Sequence, residues 1–287
     1  MFLEFIRVKQ YYKNLLVFLV LIFAGEFFNL QSVSLIILGF ISLCLISSTN
    51  YILNDIFDVE SDKKHSEKKK RAIASGKISV FWATIVAMVF AVVSLVIAWY
   101  VAEYFFYLVI LLFLLTQVYT LFFKNEIFLD VLFIAVNFVL RAVSGALILH
   151  ASISPWLVLC AFFLSLFLAV GKRRGDLIFL GTNAVKHKKV LGVYTKELLD
   201  KILIVVLALL FSSYSLYSFL RGYPMLVTLP VALYCVLRYL YLIEINSSII
   251  RSPDRVYKDW KLLLGIFIWV VVSFFMLYFY PLVAQSL

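Results

Sequence analysis

Long apolar stretches divide this sequence, and they constrain its fold more than any other feature. A helix of about 20 predominantly apolar residues crosses the ~30 Å hydrocarbon core of a bilayer, and nine stretches of roughly that length can be placed. They lie at about 14–30, 33–54, 79–101, 104–123, 127–149, 155–171, 198–220, 224–243 and 261–284. The pattern predicts an all-α, polytopic integral membrane protein with about nine transmembrane helices.

The composition excludes a soluble domain. The 287 residues are 64% hydrophobic and 15% charged, whereas soluble domains are nearer about 45–50% apolar and 25% charged. The three cysteines, Cys44, Cys160 and Cys235, all lie within apolar stretches. We therefore expect reduced thiols buried in the membrane rather than disulfides or a metal site.

The basic residues lie mostly between the apolar stretches, where they orient the chain. The 26 Lys and Arg against 16 Asp and Glu give a net charge of +10. With a cytoplasmic N-terminus, 23 of the 26 fall in loops on the cytoplasmic side or at the span ends beside them, and only Arg221 falls in a loop on the other side. Because Lys and Arg accumulate in cytoplasmic loops, we predict a plasma (inner) membrane protein with its N-terminus inside. Topology then explains the basic charge, and no nucleic-acid partner is expected.

Two of the predicted cytoplasmic connections are much longer than the others. They run from about 55 to 78 and from about 172 to 197, and both are polar. We expect them to form a polar cap on a single transmembrane domain of residues 1–287 and to carry the function, as loops on a rigid scaffold often do. A homo-oligomer is compatible with this organisation.

The first loop begins with the most informative motif, Asn54-Asp55-Ile56-Phe57-Asp58-Val59-Glu60-Ser61-Asp62. On a helix, the spacing of Asp55, Asp58 and Asp62 places three carboxylates on roughly one face beside the Asn54 amide. Such like charges repel, whereas Mg²⁺ binds hard oxygen ligands and completes its shell with water and substrate phosphates. The motif is therefore interpreted as a site for a Mg²⁺-bound diphosphate. A solvated helix end paired through salt bridges is the alternative.

A basic run follows the acidic motif at once and includes Lys68, Lys69, Lys70 and Arg71. Cations beside carboxylates suit a metal-bound diphosphate. They equally suit topology determinants that contact anionic lipid headgroups. Both interpretations of the basic run stay open.

The motif Asn54-Asp55-x-x-Asp58-x-x-x-Asp62, at the end of a second transmembrane helix, resembles the UbiA superfamily of intramembrane prenyltransferases. The resemblance covers nearly the whole chain. It implies helices packed around a central cavity, with a diphosphate bound through Mg²⁺ by residues of two cytoplasmic loops.

The second loop resembles a distinct branch, the decaprenyl-phosphate phosphoribosyltransferases. Where other members carry a second aspartate-rich motif, this chain has Gly171-Lys172-Arg173-Arg174-Gly175-Asp176, with Tyr194 further on. Three other segments resemble the same branch: Arg7-x-x-Gln10-x-x-Lys13-Asn14, Phe138 to Gly145, and Ser252-Pro253 with Lys258-Asp259. The resemblance implies transfer of 5-phosphoribose from 5-phosphoribosyl diphosphate to a polyprenyl (decaprenyl-type) phosphate, with release of pyrophosphate.

Such a donor carries far more negative charge than a prenyl diphosphate, so its site needs more fixed cations. Lys172, Arg173 and Arg174 would supply them, because arginine binds phosphate bidentately and lysine acts as a point charge. The attacking phosphate oxygen is already anionic, and catalysis is then mostly positioning and neutralisation of the leaving group. A basic membrane anchor is the alternative for these three residues.

The predicted site residues follow from these interpretations. The catalytic set comprises Asp55, Asp58 and Asp62, which are also the metal ligands, together with Lys172 and Asp176. The substrate-binding set comprises Asn54, Lys13, Lys68, Arg71, Lys124, Asp130, Asn137, Arg141, Arg173 and Tyr194.

Arg141 is unusual because it falls inside a predicted span, one helical turn after Asn137. An arginine within a bilayer must pair with another group. We favour a role in holding a lipid-borne phosphate in a central cavity, and a structural contact with a carbonyl or an acid is the alternative. Arg238 is expected to anchor its helix.

Two rival functions are considered. A UbiA-type enzyme could instead move a polyprenyl group from its diphosphate to an aromatic acceptor, but the Lys-Arg-x-x-Asp pattern argues against a second aspartate pair for metal. A transporter would be expected to show inverted repeats or helices broken at mid-membrane, and neither is apparent.

Overall fold

The computed structural model describes residues 2–63, 68–251 and 253–279, and the regular secondary structure within these ranges is entirely helical. Eight of the described helices are long and apolar enough to cross a membrane. They are α1 (Leu30–Phe57), α2 (Val80–Val101), α3 (Glu103–Val118), α4 (Leu129–Leu149), α5 (Pro155–Leu180), α6 (Lys196–Arg221), α7 (Leu229–Glu244) and α8 (Trp260–Tyr278).

Short helical segments precede and connect the long helices. The α-helical ones are Phe2–Phe5, Leu19–Phe23, Val59–Lys63, Ala184–His187 and Ser248–Arg251. The 3₁₀ segments are Val8–Phe18, Lys68–Lys70, Gly181–Asn183, Lys189–Gly192, Tyr223–Thr228 and Pro253–Lys258, and a π-helical turn, Tyr119–Phe123, extends α3.

The first predicted span, 14–30, differs from the other eight because it is not one helix. Its residues belong to a 3₁₀ segment that ends at Phe18 and a short α-helix that ends at Phe23. Gly25 then adopts φ +79°, a left-handed conformation that stops a right-handed helix. The Asn29 side chain accepts two backbone N–H groups at the start of α1. The all-α membrane fold is confirmed, with eight long helices and one broken segment.

Two helices extend beyond the predicted spans and shorten the predicted loops. α1 continues to Phe57 and therefore contains Asn54 and Asp55. α5 continues to Leu180, so residues 172–176 are helical rather than part of a loop. Hydropathy shows where the apolar part of a helix ends, but it does not show where the helix itself ends. Lys and Arg are good helix formers, so a helix can continue through them into the polar region.

The chain divides into two compact units. Unit 1 comprises residues 1–121 and 140–152, and unit 2 comprises residues 122–139 and 153–287. Residues 280–284 of the last predicted span and 64–67 of the first predicted loop lie outside the described ranges.

In unit 1, α1 and α2 pack through small residues. The buried face of α2 consists of Ala83, Ala87, Ser94 and Ala98, while its larger side chains are mostly exposed. Ser42 of α1 and Ser94 each donate a hydrogen bond to the other's backbone carbonyl, at 2.9 and 2.8 Å. Small side chains let helix backbones approach closely in a membrane, where helices gain no hydrophobic advantage over lipid.

A similar close approach at Gly145 of α4 yields a prediction. A Cβ atom there would lie 2.3 Å from the carbonyl oxygen of Val17, whereas at Gly39 it would lie 2.3 Å from the terminal methyl of Ile148. Because a backbone carbonyl cannot rotate away as a methyl group can, Gly145→Ala is expected to cost about 2 kcal/mol and Gly39→Ala less. Thermal unfolding in detergent measures both, and an equal or larger loss for Gly39→Ala would contradict this packing.

Unit 2 has its own apolar core, formed mainly by α5, α6 and α7. Its buried residues include Phe167, Val170, Leu199, Leu203 and Ile243. All three cysteines of the chain are free thiols, and those at 44 and 160 are buried, as the sequence predicts.

Candidate functional site

A group of two carboxylates and two arginines lies at the C-terminal end of α1 in unit 1. Asp55 is 7% exposed, and its Oδ1 accepts hydrogen bonds from Arg7 and from Nη1 of Arg71, the latter at 3.1 Å. Asp62 is 1% exposed and accepts from the same Arg71 nitrogen at 2.7 Å. Since one nitrogen binds both residues, the two carboxylates lie close together.

Arg7 reaches Asp55 from an unusual backbone conformation. It has φ 55° and ψ 45°, in the left-handed region that few residues other than glycine adopt. Its guanidinium also lies 4.9 Å from the ring centre of Tyr51. A strained residue held by specific contacts is typical of functional sites.

The three aspartates of the predicted motif do not share one regular helix. α1 ends at Phe57, and Asp58 follows as a half-buried residue at the helix end, while Asp62 belongs to Val59–Lys63. Among the described residues, no group of three or more His, Cys, Asp or Glu side chains is arranged to hold a metal ion. The structure brings Asp55 and Asp62 together around Arg71 instead.

These residues nevertheless fit a hard divalent cation. Mg²⁺ in proteins is usually bound by one or two carboxylates and completed by water and substrate phosphates, and Asp55 and Asp62 supply two. The Oδ1 atom of Asn54 is buried and accepts no hydrogen bond from any described residue. An amide oxygen is a further hard ligand that suits such an ion. Arg7 and Arg71 would then be available for phosphate oxygens.

A second polar group in unit 1 surrounds Arg141 of α4. Its Nε donates to Oδ1 of Asn14 at 2.9 Å, and Nδ2 of Asn14 donates to Cys44 and Ser47. Lys13, next to Asn14, lies 3.5 Å from the hydroxyl of Tyr51. Arg141 is thus tied to the N-terminal segment, which places two predicted substrate-binding cations on neighbouring elements of unit 1.

In unit 2, three side chains converge on Asp130 at the start of α4. The carboxyl group is fully buried, and its Oδ2 accepts from Nε of Arg173 at 2.7 Å and from Nζ of Lys188 at 3.0 Å. Its Oδ1 accepts from the hydroxyl of Tyr194 at 2.7 Å, and that hydroxyl accepts the backbone N–H of Phe128.

The ionisation of this group differs from that of isolated side chains. Burial, followed by the positive charge of Arg173, lowers the pKa of Lys188 to about 8. Burial and the hydrogen bond to Asp130 raise the pKa of Tyr194 well above its usual range. Tyr194 therefore stays protonated at neutral pH and donates to the carboxylate, whereas Lys188 can lose its charge near neutrality.

Arg174 is a structural residue rather than a ligand. Its side chain is 1% exposed and donates to Asp200 of α6 and Glu244 of α7. It also donates to the carbonyl oxygen of Ile243 at 2.8 Å and to Asn246. Arg174 is thus neither placed as a phosphate ligand nor exposed as a basic membrane anchor, the two roles considered from the sequence.

Two further ion pairs involve residues that the sequence singles out. Asp176 Oδ1 accepts from Arg251 at 3.3 Å, and Arg251 stacks over the ring of Phe179. Arg238 of α7 donates twice to Asp259, which also caps α8. This pairing lowers the pKa of the Asp259 carboxyl. Arg238 therefore anchors its helix, as expected.

The remaining predicted residues are Asn137, Lys68, Lys124 and Lys172. Asn137 donates to the carbonyl of Phe133 in its own helix. Lys68, Lys124 and Lys172 are half-buried, and Ser252 lies outside the described residues.

Three site residues were not assigned a role from the sequence: Arg7, Lys188 and Arg251. Arg7 stands in one of the quoted motifs, and that position was its only signal. Nothing in the sequence distinguishes Lys188 from the neighbouring lysines or Arg251 from other loop arginines.

Comparison with known sequences connects the chain to one family. The sequence model of the UbiA prenyltransferase family matches residues 15–249. A decaprenyl-phosphate phosphoribosyltransferase of Mycolicibacterium smegmatis is 30% identical over 220 residues, which cover 75% of this chain and 69% of that protein. A protein of the same name from Mycobacterium tuberculosis is 26% identical over 259 residues, covering 88% and 85% of the two chains.

Comparison with solved structures supports the same fold. A UbiA homologue from Archaeoglobus fulgidus, solved with DMAPP and Mg²⁺, is 21% identical. The match has a TM-score of 0.73 and covers 96% of this chain and 98% of that one. A second structure of that homologue, with GPP and Mg²⁺, matches with a TM-score of 0.72.

Proposed function

Because this chain belongs to the UbiA prenyltransferase family and is an integral membrane transferase, we propose that it transfers 5-phosphoribose from 5-phosphoribosyl diphosphate to a polyprenyl (decaprenyl-type) phosphate, releasing pyrophosphate. The names of its relatives support this reaction. The observation that carries it is the cationic group of unit 2, where Arg173 and Lys188 share the single carboxylate of Asp130. A donor with a diphosphate and a further phosphate requires such a surplus of fixed cations.

Mg²⁺ is proposed as the cofactor, and the A. fulgidus homologue with bound Mg²⁺ supports a divalent metal in this family. Asp55, Asp58 and Asp62 would hold it, with the Asn54 oxygen nearby. When bound, the ion supplies neutralisation of the negative charge that develops on the leaving pyrophosphate. Arg71 and Arg7, which contact Asp55 in this structure, would donate hydrogen bonds to the diphosphate.

Residues of unit 2 are proposed to bind phosphate and ribose groups of the donor. Arg173 and Lys172 would contact its phosphate oxygens. Asp176 has one oxygen engaged by Arg251, and its other oxygen is proposed to accept a ribose hydroxyl. Tyr194, which sequence analysis placed at the substrate, is committed to Asp130 and is proposed to orient that residue instead.

The acceptor phosphate is assigned to the polar group of unit 1. Arg141 and Lys13 would bind its oxygens, and one anionic oxygen attacks C1 of the ribose. The bond from C1 to the pyrophosphate oxygen breaks as the bond to the lipid phosphate oxygen forms. No proton needs to be removed from the nucleophile, so catalysis rests on positioning and on charge.

The localisation is proposed from the same charges. With 23 of 26 basic residues on one side, the N-terminus and the loops that carry the site would be cytoplasmic in a plasma (inner) membrane. Access of a soluble phosphorylated donor from the cytoplasm agrees with this orientation.

A transfer assay tests the proposed function. Purified protein is mixed with 5-phosphoribosyl diphosphate labelled in the ribose, decaprenyl phosphate and Mg²⁺. We expect label in the lipid and an equal amount of pyrophosphate, and we expect EDTA to abolish both and added Mg²⁺ to restore them. Turnover of a prenyl diphosphate with an aromatic acid, without turnover of the sugar donor, would establish the alternative prenyltransferase function. Turnover of neither donor would contradict the proposal.

A further inference from the structure

Asp130 is buried at the centre of a group of donors and has no surface to offer a ligand. Its side chain is fully buried, and both carboxylate oxygens are occupied by side chains of unit 2. A fully bonded buried carboxylate fixes the positions of the groups that donate to it. Asp130 therefore fixes the positions of Arg173, Lys188 and Tyr194.

Arg173 and Lys188 keep most of their hydrogen-bonding capacity. Within the described part of the chain, each uses one donor, and each gives it to Asp130. Arginine has five N–H donors and lysine three, so four and two remain. Nε of Arg173 and Nζ of Lys188 both lie within 3.0 Å of Oδ2 of Asp130. A single tetrahedral anion can therefore contact both, with arginine binding it bidentately.

The charge of the group also favours an anion. Arg173 and Lys188 share the carboxylate of Asp130 in a partly buried setting, with the charge of Lys172 acting on Lys188. Burial and this repulsion are the causes of the low pKa of Lys188, and a multiply charged anion would relieve both the repulsion and the lost hydration.

We propose that Asp130 is a positioning residue that holds Arg173 and Lys188 together as the two cations of a phosphate-binding site. Lys188 contacts the phosphate group directly, and Asp130 acts through Lys188 and Arg173. Tyr194 fixes the other carboxylate oxygen and is itself held by the backbone of Phe128. Only the identity of the ligand, a phosphate of the donor substrate, rests on the proposed function.

The first test measures binding of inorganic pyrophosphate to the purified full-length protein at pH 7, without Mg²⁺, lipid acceptor or turnover. Lys188→Gln and Asp130→Asn are each expected to weaken binding about tenfold or more, because a charge-assisted contact is lost or displaced. Lys188→Arg keeps the charge and is expected to retain most of the affinity. Asp200→Asn is the matched control: this carboxylate also pairs with an arginine of α5, Arg174, and binding should change less than about twofold.

The second test uses pH, which separates positioning from a purely structural role. Sulfate is the probe because its charge is constant over the pH range used. Lys188 is charged below its pKa of about 8 and neutral above it, so sulfate affinity of the unaltered protein is expected to fall as pH rises through 8. Asp130 raises that pKa through its charge, and Asp130→Asn should move the fall to lower pH.

Two results would overturn the proposal, and neither depends on the folding of Asp130→Asn. One is pyrophosphate binding by Lys188→Gln that equals binding by the unaltered protein. This variant is expected to fold, because Asp130 keeps Arg173 as its partner and no buried charge is left unpaired. The other is sulfate affinity that stays constant from pH 7 to 9.5 in the unaltered protein. If transfer of phosphoribose fails while pyrophosphate binding depends on Lys188 as described, the proposed function is wrong and the anion site stands.

Discussion

Replacement of Asp58 by asparagine is expected to lower the rate of phosphoribosyl transfer at least about a hundredfold, the usual effect of removing a preorganised charge from a reacting centre. Asparagine keeps the shape of aspartate but removes the negative charge that a hard cation requires. The fold should be retained, because Asp58 is half-buried, asparagine has nearly the same volume, and the backbone N–H of residue 58 still bonds to Asn54 and Ile56.

The loss in Asp58→Asn is measured as the initial rate of transfer at saturating donor. The increase in thermal stability on adding Mg²⁺ and pyrophosphate is measured beside it. Ligand stabilisation should be lost along with activity, since it depends on affinity for the folded state. The matched control is Glu60→Gln, two residues away. The Glu60 side chain is 80% exposed and pairs only weakly with exposed Lys63, so rates should stay within about twofold. Retained activity in Asp58→Asn would show that the acidic motif is surface charge.

Replacement of Arg174 by methionine is expected to destabilise the protein by about 4 kcal/mol. Methionine fills much of the volume but donates no hydrogen bond. The change removes one donor to the carbonyl of Ile243, which keeps the backbone N–H of Asn246. It also removes the contacts that join α5 to Asp200 and Glu244. Hydrogen bonds to charged groups contribute about 1.5–3 kcal/mol each, and imperfect packing in a core costs about 1–3 kcal/mol.

The apparent midpoint of thermal unfolding in detergent should fall by about 8 °C or more for Arg174→Met. Arg174→Lys keeps the charge but cannot contact all of these acceptors, and it should be intermediate. An unchanged midpoint for the methionine variant would show that Arg174 does not hold α5, α6 and α7 together. Restored stability on adding pyrophosphate would instead indicate a role at the ligand site.

The contrast between Arg173 and Arg174 shows where sequence reasoning stops. Both stand in one Lys-Arg-Arg run and look alike as phosphate ligands. Because successive residues of a helix point about 100° apart, α5 directs Arg173 toward Asp130 and Arg174 toward Asp200 and Glu244. Only the packing of neighbouring helices decides which of two adjacent arginines is available to a ligand.

The role of Asp130 could not have been predicted for a related reason. The sequence placed it among the substrate-binding residues, but in the structure it is completely buried and bonded to protein groups. Its partners come from positions 173, 188 and 194, which are distant in sequence. The approach of Arg7 to Asp55 likewise depends on a left-handed backbone conformation that no pattern of residue types specifies.

The sequence by itself determined the class of protein. Runs of about 20 apolar residues cross lipid as helices, because a helix bonds its own backbone N–H and C=O groups where no water is present. It also determined the acidic motif and its family, since local spacing needs no tertiary information. The tertiary structure decided which charges pair, which are buried and which keep unused donors. Those properties depend on distances between residues far apart in the chain, and hydropathy and spacing contain no such distances.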